Sequence, residues 1–173
     1  MDVSVIISAR LRLDAFQAED LDAFAAIWSD PVVTEMVGVP ARSRSESWDA
    51  ILKIAGNWAI LGYGVWAVRD SASGALLGQV GFFKAMRGHG PEFDDLPEAG
   101  WVLSRAAMGQ GVGREAATAA HQWFDAHVGG PTVCQIDARN VASQRLAARL
   151  GYAQFAEIGL SGTRENLRLY RRG

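Results

Sequence analysis

The sequence MGQGVGREA, residues 108–116, places glycine at three alternate positions, Gly109, Gly111 and Gly113. The residues before it, 98–104, have the composition of a strand, and apolar residues after it recur at helical spacing. Glycine lets the backbone bend tightly and approach a ligand, and the first amides of a helix have no internal acceptor. The helix dipole favours negative charge at that end. The segment therefore predicts a turn that binds a phosphate group, or a flexible turn that simply begins a helix.

Three kinds of phosphate-binding turn begin a helix in this way. The first, a Walker-type loop that binds nucleoside triphosphates, requires Gly-Lys-Ser/Thr, which the sequence lacks. The dinucleotide pattern G-x-G-x-x-G/A matches Gly111, Gly113 and Ala116, but about 20 residues later the chain has Pro131 where an acid is expected. Because Asp137 follows soon after, a nicotinamide-dependent oxidoreductase remains an alternative. The third kind binds coenzyme A.

The rest of the chain alternates helical and strand patterns without a break in composition, so we expect one domain spanning residues 1–173. Strands are predicted over residues 5–14, 65–70, 75–85, 98–104, 132–138, 152–158 and 165–172. Helical spacing covers residues 21–28, 48–59, 112–123 and 140–150. We expect Asp30-Pro31 to end the first helix and Ser45 to cap the second. The order β-α-α-β-β-β-α-β-α-β-β predicts an α/β fold with a mixed sheet.

Composition and charge exclude several classes of protein. The 173 residues include 17 basic and 19 acidic side chains, a balance that argues against a nucleic-acid partner. Cys134 is the only cysteine, so no internal disulfide and no multi-cysteine metal site can form, and three scattered histidines predict no metal site. No apolar run is long enough to span a membrane. We expect a cytoplasmic protein without a signal peptide or a membrane partner.

The glycine turn resembles the acyl-CoA-binding turn of the GCN5-related N-acetyltransferase (GNAT) family, whose pattern is Q/R-x-x-G-x-G/A. Gly111 and Gly113 occupy the two small positions, and Met108 replaces the usual Gln or Arg. Residues 140–152 are similar to the family's N-x-x-S…L-G-F/Y pattern. Residues 98–101 (EAGW) are similar to the E-x-G-Y/W strand of one subgroup. The three matches occur in the family's order.

That subgroup acetylates the N-termini of ribosomal proteins, and its turn often has the sequence W-G-x-G-x-A-x-E-A. Glu115 and Ala116 resemble the end of that pattern, and residues 10–13 and 28–31 resemble its amino-terminal part. The resemblance implies that the acceptor is a protein N-terminus or a small amine, and it is compatible with a homodimer. It also implies that strands 98–104 and 132–138 lie parallel at mid-sheet and splay apart to admit the cofactor.

The resemblance implies acetyl-CoA as cosubstrate and no metal. The pantetheine arm would be bound by the backbone amides of Val102 and Leu103 and by the side chains of Asn140 and Ser143. The anionic end would be bound by the turn and the start of the next helix, which comprise Met108, Gly109, Gln110, Gly111, Val112, Gly113 and Arg114.

Acetyl transfer to an amine requires a proton acceptor for the amine and benefits from a proton donor to the thiolate. We expect Glu98 to act as the base through water, although a solvated carboxylate at the start of a strand is an equal alternative. Many relatives carry a tyrosine acid seven residues after the asparagine, whereas this chain has Ala147. The acid would then be Ser143, Tyr152, a water molecule or none. A non-catalytic module that binds coenzyme A is therefore the alternative function.

The resemblance implies direct attack within a ternary complex, with no acyl group bound to the enzyme. Cys134, which lies in an apolar strand, is therefore expected to be a packed thiol. The resemblance places Trp28, Trp48 and Trp101 where relatives form the wall of the acceptor pocket, although tryptophans on apolar faces commonly pack in a core. The polar loop 86–97 contacts substrate or serves as a plain connector.

Overall fold

The computed structural model describes residues 3–159 and 166–173, in which eight strands form one sheet. The strands are β1 (Ile6–Ile7), β2 (Leu11–Asp14), β3 (Val65–Asp70), β4 (Leu76–Phe83), β5 (Glu98–Leu103), β6 (Thr132–Asp137), β7 (Ala153–Ile158) and β8 (Leu167–Arg172). They are ordered β1-β2-β3-β4-β5-β6-β8-β7 across the sheet. Neighbouring strands are antiparallel except β5 and β6, which are parallel. The predicted mixed sheet is therefore confirmed.

Helices cover both faces of this sheet. They are α1 (Leu21–Ser29), α2 (Pro31–Val37), α3 (Arg44–Leu61), α4 (Pro91–Asp94), α5 (Val112–His127) and α6 (Val141–Arg149). Phe82 of β4 contacts Phe124 of α5, with ring centroids 4.1 Å apart, so α5 lies on the face of β4 that bears Phe82. On the other face Arg69 binds Asp20 at the start of α1, at 2.7 Å. Because side chains alternate along a strand, the two faces present different residues to the two helix layers.

The gap between β5 and β6 is the feature of the sheet that bears on function. Every residue of β5 pairs with β4, from Glu98 opposite Phe83 to Leu103 opposite Gly78. In contrast, β5 pairs with β6 only at Glu98 and Val133. Past that pair the two parallel strands diverge, which confirms the predicted splay.

Two local predictions at the amino-terminal end were wrong, and the predicted end of the first helix at Asp30 was confirmed. The strand predicted over residues 5–14 is two short strands joined by a turn, in which the Ser8 amide donates to Leu11 at 2.9 Å. Asp30 ends α1 but also caps α2 by accepting from Val32 at 2.9 Å, and a proline suits the first position of a helix. The cap of α3 is Ser43 rather than Ser45.

Ser43 is the better cap because Glu46 completes a capping box with it. The Glu46 carboxylate accepts from the Ser43 amide at 2.7 Å, and Ser43 Oγ accepts from the Glu46 amide at 3.2 Å. The loop predicted over residues 86–97 contains the short helix α4. The start of the last predicted strand, Glu165, lies outside the described residues.

The main hydrophobic core lies between the sheet and the helices. Trp58 of α3, Trp66 of β3 and Trp123 of α5 meet edge to face, with centroids 4.7–5.7 Å apart. Aromatic burial of this kind stabilises the fold strongly. Within residues 3–159 and 166–173, no helix combines the length and the apolar character needed to cross a membrane.

Candidate active site

A cleft of about 380 Å³ opens where β5 and β6 part. Its walls come from β4, β5 and β6 and from the helices α1 to α3 on one face of the sheet. Six of the residues predicted to form the site line this cleft, namely Trp28, Glu98, Trp101, Val102, Asn140 and Ser143. The gap in the sheet thus brings together residues that are far apart in the sequence.

Glu98 is buried at the head of the gap and is paired with Arg87. The guanidinium donates to both carboxylate oxygens, from Nε at 2.7 Å and from Nη2 at 2.9 Å. Only 4% of Glu98 is exposed, so the alternative of a solvated strand-end carboxylate was wrong. Burial raises the pKa of Glu98, although the pairing with Arg87 opposes this rise.

The loop before β5 positions Arg87. Asp94 accepts from the amides of Arg87 and Gly90, at 2.7 and 3.0 Å. With its oxygen facing the guanidinium, the Gln135 amide accepts from Arg87 at 3.2 Å and donates to His89 Nε2 at 2.8 Å. Asp94 therefore stabilises the backbone of the loop that carries Arg87. Arg87 was not predicted, because its only signal in the sequence is a charge in a loop of glycine, proline and acids.

Asn140 and Ser143 lie at the other side of the gap, at the start of α6. Asn140 Oδ1 accepts from the Ser143 amide at 3.0 Å, which confirms the predicted helix cap, and its Nδ2 donates to the carbonyl of Met36 at 2.7 Å. Ser143 Oγ accepts from Trp101 Nε1 at 3.2 Å. The hydroxyl therefore has its own proton available to donate within the cleft.

The hydrogen-bond alternation along β5 decides which of its amides face the gap. The Ser104 amide donates to Leu77 at 2.7 Å, toward β4, whereas the Val133 amide of β6 donates to the carbonyl of Pro97 at 3.0 Å. Amides alternate in direction along a strand, so that of Val102 points to β4 and that of Leu103 points into the gap. This geometry supports the predicted role for Leu103 and argues against the one for Val102, whose side chain lines the cleft.

The glycine turn leads into α5 with its backbone exposed. Gly109 and Gly111 have φ values of +75° and +79°, which favour glycine, and α5 begins without a side-chain cap. The first amides of α5 therefore have no intrahelical acceptor. Gly113 has a packing role as well, since a Cβ there would lie 3.1 Å from Leu103 Cδ1. Met108 packs against the main core, and Arg114 is exposed.

An ion pair fixes this turn to the amino-terminal hairpin. Glu115 accepts from Ser8 Oγ at 2.8 Å and from the amide and Nε of Arg10 at 2.9 and 2.8 Å. Arg10 Nη1 in turn donates to the carbonyl of Gln110 at 3.1 Å. Glu115 and Arg10 matched family patterns in the sequence, and this contact gives both a structural role.

The structure places Tyr152 and Trp48 outside the cleft. The Tyr152 hydroxyl is bound between His121 Nε2, at 2.9 Å, and Thr132 Oγ1, at 2.7 Å, and burial raises its pKa. This placement argues against Tyr152 as the proton donor. Trp48 is 36% exposed on α3 and does not line the cleft, unlike Trp28 and Trp101.

Cys134 lies in the wall of the cleft but is 1% exposed, and burial raises the pKa of its thiol. A protonated, enclosed thiol is a poor nucleophile. In the part of the chain that the structure describes, no cluster of three or more His, Cys, Asp or Glu residues could hold a metal ion.

Comparison with known proteins identifies one family and a set of solved structures. The family model described as an acetyltransferase (GNAT) domain matches residues 10–153. A GnaT-family acetyltransferase from Bordetella pertussis is 28% identical with a TM-score of 0.88, over 99% of this chain and 100% of that chain. An acetyltransferase from Agrobacterium tumefaciens is 23% identical with a TM-score of 0.80, over 100% and 96% of the two chains.

A third similar structure is RimL, a ribosomal L7/L12 α-N-protein acetyltransferase solved in complex with coenzyme A. It is 16% identical with a TM-score of 0.76, and the match covers 98% of this chain and 97% of that chain. At this identity the likeness shows a shared fold.

Proposed function

The chain belongs to the GNAT acetyltransferase family, and from this premise we propose that it transfers an acetyl group from acetyl-CoA to a primary amine by direct attack within a ternary complex. The observation that carries the proposal is the gap between β5 and β6, which has Glu98 at its head and Ser143 at its side. The acceptor would be a protein N-terminus or a small amine.

Two groups of described backbone amides are suited to bind acetyl-CoA. The amides of the glycine turn and of the first turn of α5 suit phosphate groups, because the positive end of the helix dipole and the unpaired N–H donors both lie at this end of α5. The amide of Leu103 faces the gap and is suited to the pantetheine arm or the thioester carbonyl. When bound, acetyl-CoA would supply an acetyl thioester whose carbonyl carbon is attacked by the amine.

The side chains at the gap suit the two proton transfers of this reaction. The amine forms a C–N bond as the C–S bond breaks, so one proton must leave the nitrogen and one must reach the sulfur. Glu98, held by Arg87, would accept the first through water, and the Ser143 hydroxyl would donate the second and take a proton from solvent in exchange. The products are an amide and a free thiol.

Calorimetry with acetyl-CoA and a thiol-release assay with a panel of amines test the proposal together. We expect saturable binding of acetyl-CoA and thiol release that depends on the amine. No binding of acetyl-CoA at hundreds of micromolar would contradict the assignment.

One observation favours the alternative of a non-catalytic module that binds coenzyme A. Ala147, which stands where many relatives have a tyrosine acid, is fully buried, and Glu98 is already paired with Arg87. Binding of acetyl-CoA without thiol release for any amine would support this alternative over the enzyme.

A further inference from the structure

Two residues that line the cleft each carry a buried polar side-chain atom that has no hydrogen-bond partner among the described residues. The atoms are Nε1 of Trp28, which can only donate, and Oε1 of Gln79, which can only accept. Trp28 is 3% exposed. Buried polar groups are nearly always paired in folded proteins, so two orphans in one cleft point to a ligand that completes them.

A guanidinium lies directly over the Trp28 ring. The Cζ atom of Arg42 is 3.5 Å from the ring centroid, and the Arg42 amide donates to the carbonyl of Trp28 at 2.9 Å, which fixes the segment against α1. Within residues 3–159 and 166–173, the Arg42 guanidinium has no hydrogen bond or ion pair. Glu46 acts on it only through space, since its carboxylate is bound to Ser43. Arg42 therefore has a full set of donors for a ligand.

The charge of the cleft supports an anionic ligand. Among the described residues that line it, the two acids are each paired with an arginine, Glu98 with Arg87 and Asp137 with Arg139, at 3.0 Å or less. Lys53 of α3 lines the same cleft as Arg42 and brings a second positive charge. We call Trp28, Arg42, Lys53 and Gln79 the acceptor wall.

The acceptor wall and the glycine turn lie on opposite faces of the sheet. Gln79 and Phe82 are three residues apart on β4, so their side chains point to opposite faces of the sheet. Because Phe82 contacts α5, Gln79 faces the layer of α1 to α3. The turn precedes α5 on the other face. The cations of the acceptor wall are therefore placed to bind the acceptor rather than the phosphates of the cofactor.

We infer that the acceptor is a small primary amine that also carries a carboxylate, such as a free amino acid. This inference rests on the proposed acetyl transfer. The carboxylate would accept from Trp28 Nε1 and from Arg42, and the amine would donate to Gln79 Oε1. A protein N-terminus instead presents a neutral peptide carbonyl next to its amine, which leaves the charge of Arg42 unmatched.

The test compares thiol-release rates for L-amino acids and for their carboxamides, which keep the amine and the side chain but lose the anion. We expect kcat/KM to favour the acids by at least about 10-fold, the scale of a charge-assisted hydrogen bond. Arg42→Gln should lower kcat/KM for the acids by about 10- to 100-fold, mainly through KM, and leave the carboxamides nearly unchanged. Trp28→Phe, which keeps a ring but removes the N–H, should reduce the same preference.

Arg44→Gln is the matched control, because Arg44 is exposed, pairs with the exposed Asp22 and does not line the cleft. It should leave the preference unchanged. Calorimetry with acetyl-CoA on each variant separates the two proposals: intact binding with equal rates for acids and carboxamides overturns the inference alone. The inference is also overturned if peptides, including those that begin with an acidic residue, are acetylated faster than free amino acids. It is overturned as well if no amino acid is acetylated. If the unaltered protein does not bind acetyl-CoA, both proposals are overturned.

Discussion

The two proposed binding regions, the cofactor wall and the acceptor wall, are built from different parts of the chain. The cofactor wall, residues 108–114, is one continuous segment, and we propose that it binds acetyl-CoA through backbone amides. The acceptor wall is assembled from α1, the segment before α3, α3 itself and β4, and we propose that it binds the acceptor through side chains. A backbone site needs glycines and a helix start, which leave a local signature. A side-chain site needs only that distant residues meet.

This difference predicts that the two walls can be disabled separately. Changes to the cofactor wall should alter the affinity for acetyl-CoA, and changes to the acceptor wall should alter the choice of amine. Glu98 and Ser143 line the cleft and belong to neither wall, so changes there should mainly alter turnover.

Glu98→Gln should have the largest effect on turnover. The amide keeps the shape of the side chain but cannot accept the proton, so kcat should fall by about 10²- to 10⁴-fold while the dissociation constant for acetyl-CoA stays nearly constant. Asp125→Asn is a matched control, because it removes a similar two-bond pair with Arg172, at 2.7 and 2.6 Å, that lies outside the cleft. Equal turnover in Glu98→Gln would remove Glu98 from the mechanism.

The pH dependence of kcat/KM provides an independent test of the same residue. Glu98 must be ionised to accept a proton, and burial raises its pKa above the ordinary value of 4.5. Activity should therefore fall as the pH drops through that raised pKa, and Glu98→Gln should lack this acidic limb. An unchanged limb in the variant would assign it to another group.

Gly111→Val should act on the cofactor wall alone. Valine is strained at a φ of +79°, so the turn must rearrange, and we expect affinity for acetyl-CoA to fall by about 10- to 100-fold. Gly74→Val is the control, because Gly74 has a φ of +74° in the hairpin between β3 and β4 and is far from the turn in sequence. It should lower the melting temperature without changing that affinity. Calorimetry and thermal melts distinguish the two, and equal affinity loss in both variants would contradict a local site.

The smallest expected effects distinguish Ser143 from Tyr152 as the proton donor, and Ser143→Ala and Tyr152→Phe are the variants to compare. Loss of the Ser143 hydroxyl should lower kcat by about 10-fold. Loss of the Tyr152 hydroxyl should leave kcat unchanged and cost about 1 kcal/mol of the free energy of unfolding, because His121 and Thr132 each lose a buried partner. Steady-state rates and denaturant unfolding measure the two effects, and a kcat that falls only in Tyr152→Phe would reverse the assignment.

Most of the fold could be predicted from the sequence because its signals are local. Helical spacing predicts the greater part of α3, and the turn before α5 has a pattern of its own. Where two local signals competed, the prediction was wrong. Ser43 and Ser45 are both good caps, and only the position of Glu46 favours Ser43.

The candidate site was less predictable because its residues depend on contacts across the chain. Arg87 is one of many arginines, and only the structure places it on Glu98. Tyr152 follows a glycine in a family pattern, yet its hydroxyl is bound inside the core. No sequence pattern distinguishes Arg42 from the other arginines, because its contact with the Trp28 ring arises only in the fold.

A crystal structure with acetyl-CoA tests the central claim most directly. We predict that the pantetheine arm lies between β5 and β6, with the phosphates on the amides of residues 109–114 and the acetyl group beside Glu98. A ligand bound elsewhere, or β5 and β6 paired along their length, would contradict the account.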